Sequence, residues 1–310
     1  MTDRLESGWA SGASARGRVV EGDNLELLRS LPDGCIDLVY ADPPFNTGRR
    51  RASARLRTTR SADGDRTGFG GRRYRTVMGE TRGFDDRFDD YAGFLEPRIS
   101  EIRRVLAPHG SLYLHLDFRE AHATKLLLDH IFGPEAFLNE IVWAYDYGGR
   151  PKDRWPAKHD TILVYVREPG RHFFDAEAVE RIPYMAPGLV SAEKVARGKL
   201  PTDVWWHTIV PTAGNERTGY PAQKPLGILR RIVSASSAPG AWVLDPFAGS
   251  GTTGVACLEL GRRFLLVDES PAAIEVMRTR LPEEHGIAFE RLNPSTLGPR
   301  EGSDRNRRPG

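Results

Sequence analysis

The sequence has few of the residues that build disulfide frameworks or thiolate metal clusters. Its 310 residues include two cysteines, Cys35 and Cys257, and both lie within apolar patterns. We therefore expect two reduced, structural thiols and no metal site. No apolar run approaches the roughly 20 residues that cross a bilayer, and the first residues lack the apolar core of a signal peptide. These absences predict a cytoplasmic protein with no membrane contact.

The formal net charge is only +2, but one segment is strongly basic. Residues 49–82 contain eleven arginines, no lysine and three acids. Glycine, serine and threonine are frequent there and little periodicity is visible, so we predict a long mobile loop inserted over residues 49–83. A loop this basic suits a polyanion such as a nucleic acid. The alternative is a solvated insertion that binds nothing.

Strand-like and helix-like stretches alternate along most of the chain. Short apolar runs such as RVVEG (18–22), CIDLVYA (35–41) and RRFLLVD (262–268) predict strands, whereas KPLGILRRIVSASS (224–237) has apolar residues at helical spacing. This alternation predicts an α/β fold whose mostly parallel sheet is covered by helices on both faces. Ligands in such folds bind beyond the carboxyl ends of the strands.

The stretch VLDPFAGSGTTG (243–254) places a glycine-rich turn between a predicted strand and a predicted helix. Glycines let a ligand approach the backbone, and a helix start offers unpaired N–H groups. Asp268 ends the next strand, where an acid can accept hydrogen bonds from ribose hydroxyls. The glycines and Asp268 are therefore compatible with a nicotinamide dinucleotide. Asp245 before the glycines favours an ammonium or sulfonium over a pyrophosphate.

The stretch DPPF ends another predicted strand. The two prolines, Pro43 and Pro44, stop the strand because proline donates no hydrogen bond to a sheet, and they hold the chain stiffly. An exocyclic amine on a nucleobase is a weak nucleophile because its lone pair is delocalised into the ring. Asp42 and the carbonyl group of Pro43 can accept hydrogen bonds from the two N–H groups of this amine, and Phe45 offers a face for stacking the base. The stretch predicts a clamp for a flat amine.

Together, DPPF and DPFAGSGTT (245–253) resemble the target and cofactor motifs of DNA amino-methyltransferases that use S-adenosylmethionine. The target motif comes first and YPAQKPLGILRRIV (220–233) lies upstream of the glycines, as in the beta class of that family. The resemblance covers about residues 18–281. It implies a Rossmann-like class I methyltransferase fold with circularly permuted motifs and a seven-stranded sheet that includes one antiparallel strand.

The resemblance also implies a cofactor site. Asp23, at the end of the first strand, is expected to contact the cofactor's adenine, with a plain surface acid as the equal alternative. A side chain at Gly251 is expected to occupy the space of the methionine moiety. The predicted cofactor-binding residues are Asp23, Lys224, Pro225, Asp245, Phe247, Gly249, Ser250, Gly251, Thr252 and Asp268.

DNA contacts are expected from the basic loop and from a target-recognition region at residues 146–222. In that region Trp205 and Trp206 either wedge the duplex or pack within the protein, and His159 is expected to start a strand rather than to act as a base. The predicted DNA-binding residues are Arg49, Arg50, Arg51, Arg72, Arg73, Arg150 and Lys152.

The predicted organisation is a flexible N-terminus at 1–17, a catalytic domain at 18–290 and a disordered tail at 291–310. The predicted function is methyl transfer to N6 of adenine in double-stranded DNA, because the resemblance associates an aspartate such as Asp42 with adenine and a serine with cytosine. The alternatives are an N4-cytosine methyltransferase, a nicotinamide oxidoreductase and a catalytically silent DNA-binding relative. A homodimer and a cognate restriction endonuclease are the further partners that the family suggests.

Overall fold

The computed structural model describes residues 15–48, 51–60, 63, 66–67, 73–84, 86–211 and 214–292. Most of the predicted N-terminal segment and nearly all of the predicted tail lie outside these ranges. The strands are β1 Gly17–Glu21, β2 Ile36–Ala41, β3 Arg51–Arg60, β4 Arg66–Thr67, β5 Arg73–Phe84, β6 Leu106–Leu116, β7 Phe137–Ala144, β8 His159–Val166, β9 Val204–Trp206, β10 Trp242–Asp245, β11 Arg263–Asp268 and β12 Ile287–Arg291. The helices are α1 Asn24–Ser30, α2 Tyr91–Val105, α3 Ala121–Phe132, α4 Ala192–Arg197, α5 Leu226–Ser236, α6 Thr252–Glu259 and α7 Pro271–Arg280.

Among the described residues, nine strands form the main sheet in the order β12-β1-β11-β10-β2-β6-β8-β7-β9. β8 runs antiparallel to both of its neighbours, β6 and β7, and the other neighbouring pairs are parallel. The expected α/β class and the single antiparallel strand are therefore confirmed. The implied count of seven strands is wrong, because β9 and β12 extend the sheet at its two ends. Sequence patterns did not indicate these edge strands, which have three and five residues.

Apolar helix faces cover both sides of this sheet. Neighbouring residues of β2 point to opposite sides, so Val39 belongs to the core under α1, α2 and α3, and Leu38 belongs to the core under α5, α6 and α7. Ile99 of α2 and Ile232 of α5 are almost fully buried on their respective sides. A side chain of this size contributes about 1.5–3 kcal/mol when it is fully buried. The two cores together hold the strand ends in fixed positions.

The described parts of the basic segment, residues 51–60, 66–67 and 73–84, form a separate small sheet instead of the predicted mobile loop over 49–83. β3 pairs antiparallel with β5 from Arg51↔Phe84 to Arg60↔Tyr74, and β4 pairs with the start of β5. The prediction was wrong because backbone pairing needs no apolar alternation, and because the threonine, valine and tyrosine residues of this segment favour strands.

The carboxyl ends of β1, β2, β10 and β11 meet at one edge of the main sheet, since these strands run parallel and adjacent. The residues that follow them are brought together there. Within the ranges that the structure describes, no helix has both the length and the apolar character needed to cross a bilayer.

Candidate active site

A cavity of about 1160 Å³ opens at this edge of the sheet. It lies where a parallel α/β sheet is expected to bind its ligands. The structure therefore brings the DPPF stretch and the glycine turn together, although they are far apart in sequence. The predicted site residues that line the cavity are Asp23, Asp42, Pro43, Pro44, Phe45, Lys224, Asp245, Phe247, Gly249, Ser250, Thr252 and Asp268.

Asp42 follows β2 directly and presents its carboxylate to the cavity. Its Oδ2 lies 2.7 Å from Nζ of Lys224, and the same ammonium lies 4.6 Å from the centre of the Phe45 ring. The other oxygen, Oδ1, is buried and has no hydrogen-bond partner among the described residues. Burying an acceptor without a donor costs free energy. Within the part of the chain that the structure describes, Oδ1 therefore lacks the donor that a buried carboxylate oxygen needs.

A buried polar cluster supports the Phe45 ring from within the protein. The ring centre of His115 lies 5.8 Å from that of Phe45. Nδ1 of His115 is 2.8 Å from the Tyr40 hydroxyl and Nε2 is 3.1 Å from Oδ2 of Asp160. Burial acts to raise the pKa of Asp160, but the hydrogen bond and charge of His115 and the charge of Lys224 outweigh it and leave that pKa below its ordinary value. No pattern in the sequence indicates this cluster.

Asp245 ends β10 and lies buried beneath the glycine turn. Its Oδ2 accepts from the Thr253 hydroxyl at 2.5 Å, and its Oδ1 accepts from the backbone N–H of Phe247 at 3.1 Å. Burial raises the pKa of Asp245 to about 7, and the negative charges of Asp42 and Asp268 act in the same direction. A cation bound in the cavity would favour the ionised form, so the site suits a positively charged ligand.

Asp268 ends β11 and holds the glycine turn in place. Its Oδ2 accepts from the backbone N–H of Gly249 at 2.8 Å, and its Oδ1 accepts from that of Ser270 at 2.9 Å. Burial raises its pKa to about 6. Gly249 has a φ of +51°, and a Cβ there would lie 3.3 Å from a ring carbon of Tyr220, which lines the cavity. The glycine thus leaves space beside the wall of the cavity.

Asp23 follows β1 and caps α1. Its Oδ1 accepts from the backbone N–H groups of Leu25 and Glu26 at 2.7 and 3.0 Å. Its Oδ2 lies 3.3 Å from Nη2 of Arg98, whose guanidinium carbon lies 4.0 Å from the centre of the Phe94 ring. Asp23 is therefore a helix cap that also lines the cavity, and its contact with adenine stays a prediction. Arg98 and Phe94 line the same cavity, although the sequence did not indicate them as site residues.

Residues 36–279, which include the DPPF stretch and the glycine turn, match the model of a family of N6- and N4-directed enzymes described as DNA methylase. This chain belongs to that DNA methylase family.

Individual relatives are similar in sequence to this DNA methylase over most of its length. It is 29% identical over 287 residues to the DNA adenine methyltransferase YhdJ of Escherichia coli (strain K12), across 88% of this chain and 85% of the relative. It is 28% identical over 269 residues to the type II methyltransferase M.HpaI of Haemophilus parainfluenzae, across 86% and 74%. The M1.HpyAVI–SAM complex superposes with a TM-score of 0.55 at 19% identity, covering 86% of this chain and 99% of that one. This last likeness shows the fold.

Two residues predicted to bind the cofactor do not line the cavity of this DNA methylase. Gly251 precedes α6 with a φ of +74°, and a Cβ there would lie 2.7 Å from Cγ of Met277 on α7. The expectation that a side chain at Gly251 would fill cofactor space is therefore wrong, because the position faces the core. Pro225 is the N-cap residue of α5. Its predicted contact with the cofactor is untested.

The predicted DNA-binding residues lie on separate parts of the methylase. Arg51 is the first residue of β3, and Arg73, which is exposed, is the first residue of β5. Arg150 and Lys152 are exposed outside the cavity, and Arg150 pairs with Asp146 at 3.0 Å. The other three fall outside the described residues: Arg49, Arg50 and Arg72.

The two adjacent tryptophans differ in their surroundings. Trp205 is buried, its indole N–H donates to the carbonyl of Thr202 at 2.7 Å, and the Arg231 guanidinium lies 4.8 Å from the centre of its ring. A wedge role for Trp205 is therefore wrong, whereas Trp206 is 77% exposed. His159 begins β8, which confirms its expected place at the start of a strand.

Proposed function

We propose that this DNA methylase transfers a methyl group from S-adenosylmethionine to N6 of adenine in double-stranded DNA. The observation that carries the proposal is the pairing of Asp42 with the Phe45 ring in the wall of one cavity, where Oδ1 of Asp42 is buried and finds no hydrogen-bond partner among the residues that the structure describes. When bound, S-adenosylmethionine supplies a methyl group on a positively charged sulfur. The residues present fit this cofactor, because Asp245 and Asp268 provide negative charge and Gly249 leaves space at the wall.

Asp42 and Phe45 act on the target base. The base leaves the duplex and stacks on Phe45, whose ring is supported by His115. Oδ1 of Asp42 accepts a hydrogen bond from the N–H group of the amine, and this draws the nitrogen lone pair away from the base ring. Most of the rate enhancement comes from holding the amine in line for transfer and from excluding water. The nitrogen gives up one proton as it gains the methyl group, and Asp42 is the carboxylate placed to accept it.

Adenine is proposed as the acceptor on two grounds. The family resemblance associates an aspartate at the position of Asp42 with adenine, and the relative YhdJ is named a DNA adenine methyltransferase. A purine also stacks over more of the Phe45 ring, within the ~1–3 kcal/mol typical of base–aromatic stacking. N4 of cytosine is the second candidate, because the matched family includes enzymes of both kinds.

The deciding experiment is methylation of mixed-sequence duplex DNA with labelled S-adenosylmethionine, followed by nucleoside analysis and mapping of the modified sites. We expect N6-methyladenine within one short recognition sequence, with the Asp42→Ala variant as the blank. N4-methylcytosine without N6-methyladenine would contradict the choice of base. Absence of any label in the DNA would contradict the proposed reaction.

Affinity for S-adenosylmethionine should increase with pH. Burial raises the pKa values of Asp245 and Asp268 to about 7 and about 6, so both carboxyls take up protons as the pH falls. A cationic ligand binds the ionised forms better, so binding releases protons. Titration of Asp245 alone then raises the association constant about tenfold between about pH 6 and about pH 8. Calorimetry across this range measures the effect, with Asp245→Asn expected to bind weakly and with a flatter profile. A wild-type affinity independent of pH would contradict this assignment.

The small basic sheet should contribute to DNA binding without supporting the main fold. Arg51 pairs with Phe84, so the two ends of the segment lie side by side and a short flexible linker can replace residues 50–82. We expect unchanged S-adenosylmethionine binding and weaker DNA binding in the deletion variant. The slope of log affinity against log salt should fall by roughly one for each phosphate that the variant no longer neutralises. Equal slopes for the deletion variant and the wild type would show that this sheet does not contact DNA phosphates.

The remaining proposals follow from the relatives. A cognate restriction endonuclease is proposed because M.HpaI is named a type II methyltransferase. A homodimer is proposed from the class of the family, and a cytoplasmic location from the reaction on DNA. The domain boundaries at about 18 and 290 and the recognition region at 146–222 are proposed as the sequence predicts them.

A further inference from the structure

Lys224 is fixed in the wall of the cavity by its backbone. It lies just before α5, and its carbonyl accepts from the Thr252 hydroxyl at the start of α6 at 3.3 Å. The preceding residue, Gln223, is bonded through its side chain to the carbonyl of Glu216 at 2.7 Å and to the N–H of Thr218 at 2.9 Å. The lysine therefore extends from a braced segment into the cavity.

The ammonium of Lys224 contacts the groups expected to hold the target base rather than those of the glycine turn. It lies 2.7 Å from Oδ2 of Asp42 and 4.6 Å from the centre of the Phe45 ring, and the lysine is only 8% exposed. A carboxylate can rotate about its Cβ–Cγ bond, and an ion pair at one oxygen restricts that rotation. With Oδ2 held, Oδ1 is the oxygen left for the amine.

The surroundings explain why a cation is needed at this point. Asp42, Asp160, Asp245 and Asp268 all line the same cavity. The charge of Asp42 acts to raise the pKa of Asp245, and the charge of Lys224 acts to lower the pKa of Asp160. The ammonium of Lys224 places a positive charge among these carboxylates, directly beside Asp42.

We propose that Lys224 is a positioning residue for the target base, which holds Oδ2 of Asp42 so that Oδ1 faces the amine, and that it is not primarily a cofactor-binding residue. This inference rests on the proposed function of the cavity. When the base enters, stacking replaces the contact between the ammonium and the Phe45 ring, while the ion pair with Asp42 remains.

The first test replaces Lys224 by methionine, which keeps an unbranched side chain without the charge. We expect Lys224→Met to lower kcat about 100-fold, similar to loss of one preorganised electrostatic contact, with the Kd for S-adenosylmethionine and the KM for DNA within about threefold of wild type. Lys194→Met, which removes an exposed lysine of α4, is the matched control and should retain wild-type kcat. Loss of cofactor binding, or a kcat close to that of wild type, would overturn the proposal.

The second test separates the charge from the shape of the side chain. In Lys224→Cys, alkylation of the thiol with 2-bromoethylamine forms a thioether that ends in an ammonium at nearly the length of lysine. The native thiols should react poorly, because Cys35 and Cys257 are buried and burial raises both pKa values, that of Cys35 to about 12. We expect at least a tenfold recovery of kcat in Lys224→Cys and no change in treated wild type.

Failure of recovery in a variant that melts like wild type would show that the ammonium is not the active feature. The wild-type assay reports separately on the proposed function: N4-methylcytosine as product would change the base and leave the role of Lys224 standing. An inactive wild type would overturn both proposals.

Discussion

Replacement of Asp42 by alanine should lower methyl transfer at least about 1000-fold, the upper part of the range for loss of one group that acts directly on the reacting atoms. The variant loses the acceptor oxygen Oδ1, so the amine keeps its lone pair delocalised in the base ring. Affinity for S-adenosylmethionine should stay within about threefold of wild type, because Asp245 and Asp268 are unchanged.

Single-turnover methylation and calorimetric titration with the cofactor measure these two quantities. The matched control is Asp42→Asn, which retains an acceptor oxygen at nearly the same place and should lose less activity than the alanine variant. Lys224 lacks its carboxylate partner in both variants, so thermal melting must show that each protein is folded. Near-normal turnover in Asp42→Ala would show that Asp42 has no part in the mechanism. Loss of cofactor binding in this variant would show that Asp42 binds the cofactor instead.

The placement of the site was predictable because it depends on strand ends. DPPF and the glycine turn each follow an apolar run that must be buried, and parallel neighbouring strands bring their carboxyl ends to one edge. The sequence therefore predicted the cavity and the position of Asp42, Asp245 and Asp268 around it. The single antiparallel strand, β8, followed only from the family resemblance, since periodicity carries no information about strand direction.

The contacts between those residues were not predictable in the same way. The ion pair between Asp42 and Lys224 joins a strand end to the residue before α5, and no local pattern records such a distance. His115 lies in a strand of mostly apolar residues, where a polar residue gives no sign that it supports Phe45. The main-sheet pairings of β9 and β12 were not predicted for a related reason. A short edge strand forms because it pairs with the neighbouring strand, and the sequence of the edge segment alone does not show that pairing.

The conformation of the basic segment shows a limit of composition. Frequent glycine and serine and a high charge suggested a loop over 49–83, whereas β3 and β5 pair along most of their length. Charge predicts a partner without fixing the backbone, since threonine, valine and arginine all occur in exposed strands. The predicted polyanion contact is thus compatible with a β-ribbon, which can enter a groove of DNA.

Replacement of Gly251 by valine should destabilise the protein before it affects the cofactor site. The φ of +74° is costly for a residue with a Cβ, by about 1–2 kcal/mol. The added carbon would lie 2.7 Å from Cγ of Met277 and 3.3 Å from Cδ1 of Leu281, and overpacking of this kind costs about 1–3 kcal/mol. The free energy of unfolding should therefore fall by about 2–5 kcal/mol, a large part of the total for a typical domain.

Gly249→Ala is the matched comparison, because this glycine also has a positive φ but faces the cavity, where its Cβ would lie 3.3 Å from the Tyr220 ring. Both variants carry backbone strain, so any difference between them reports the neighbouring atoms. We expect Gly251→Ala to melt at the lower temperature while binding S-adenosylmethionine normally below its melting point. Gly249→Ala should instead bind the cofactor more weakly. If Gly251→Ala melts like wild type and loses cofactor affinity, Gly251 belongs to the cofactor site and a side chain there does not press on α7.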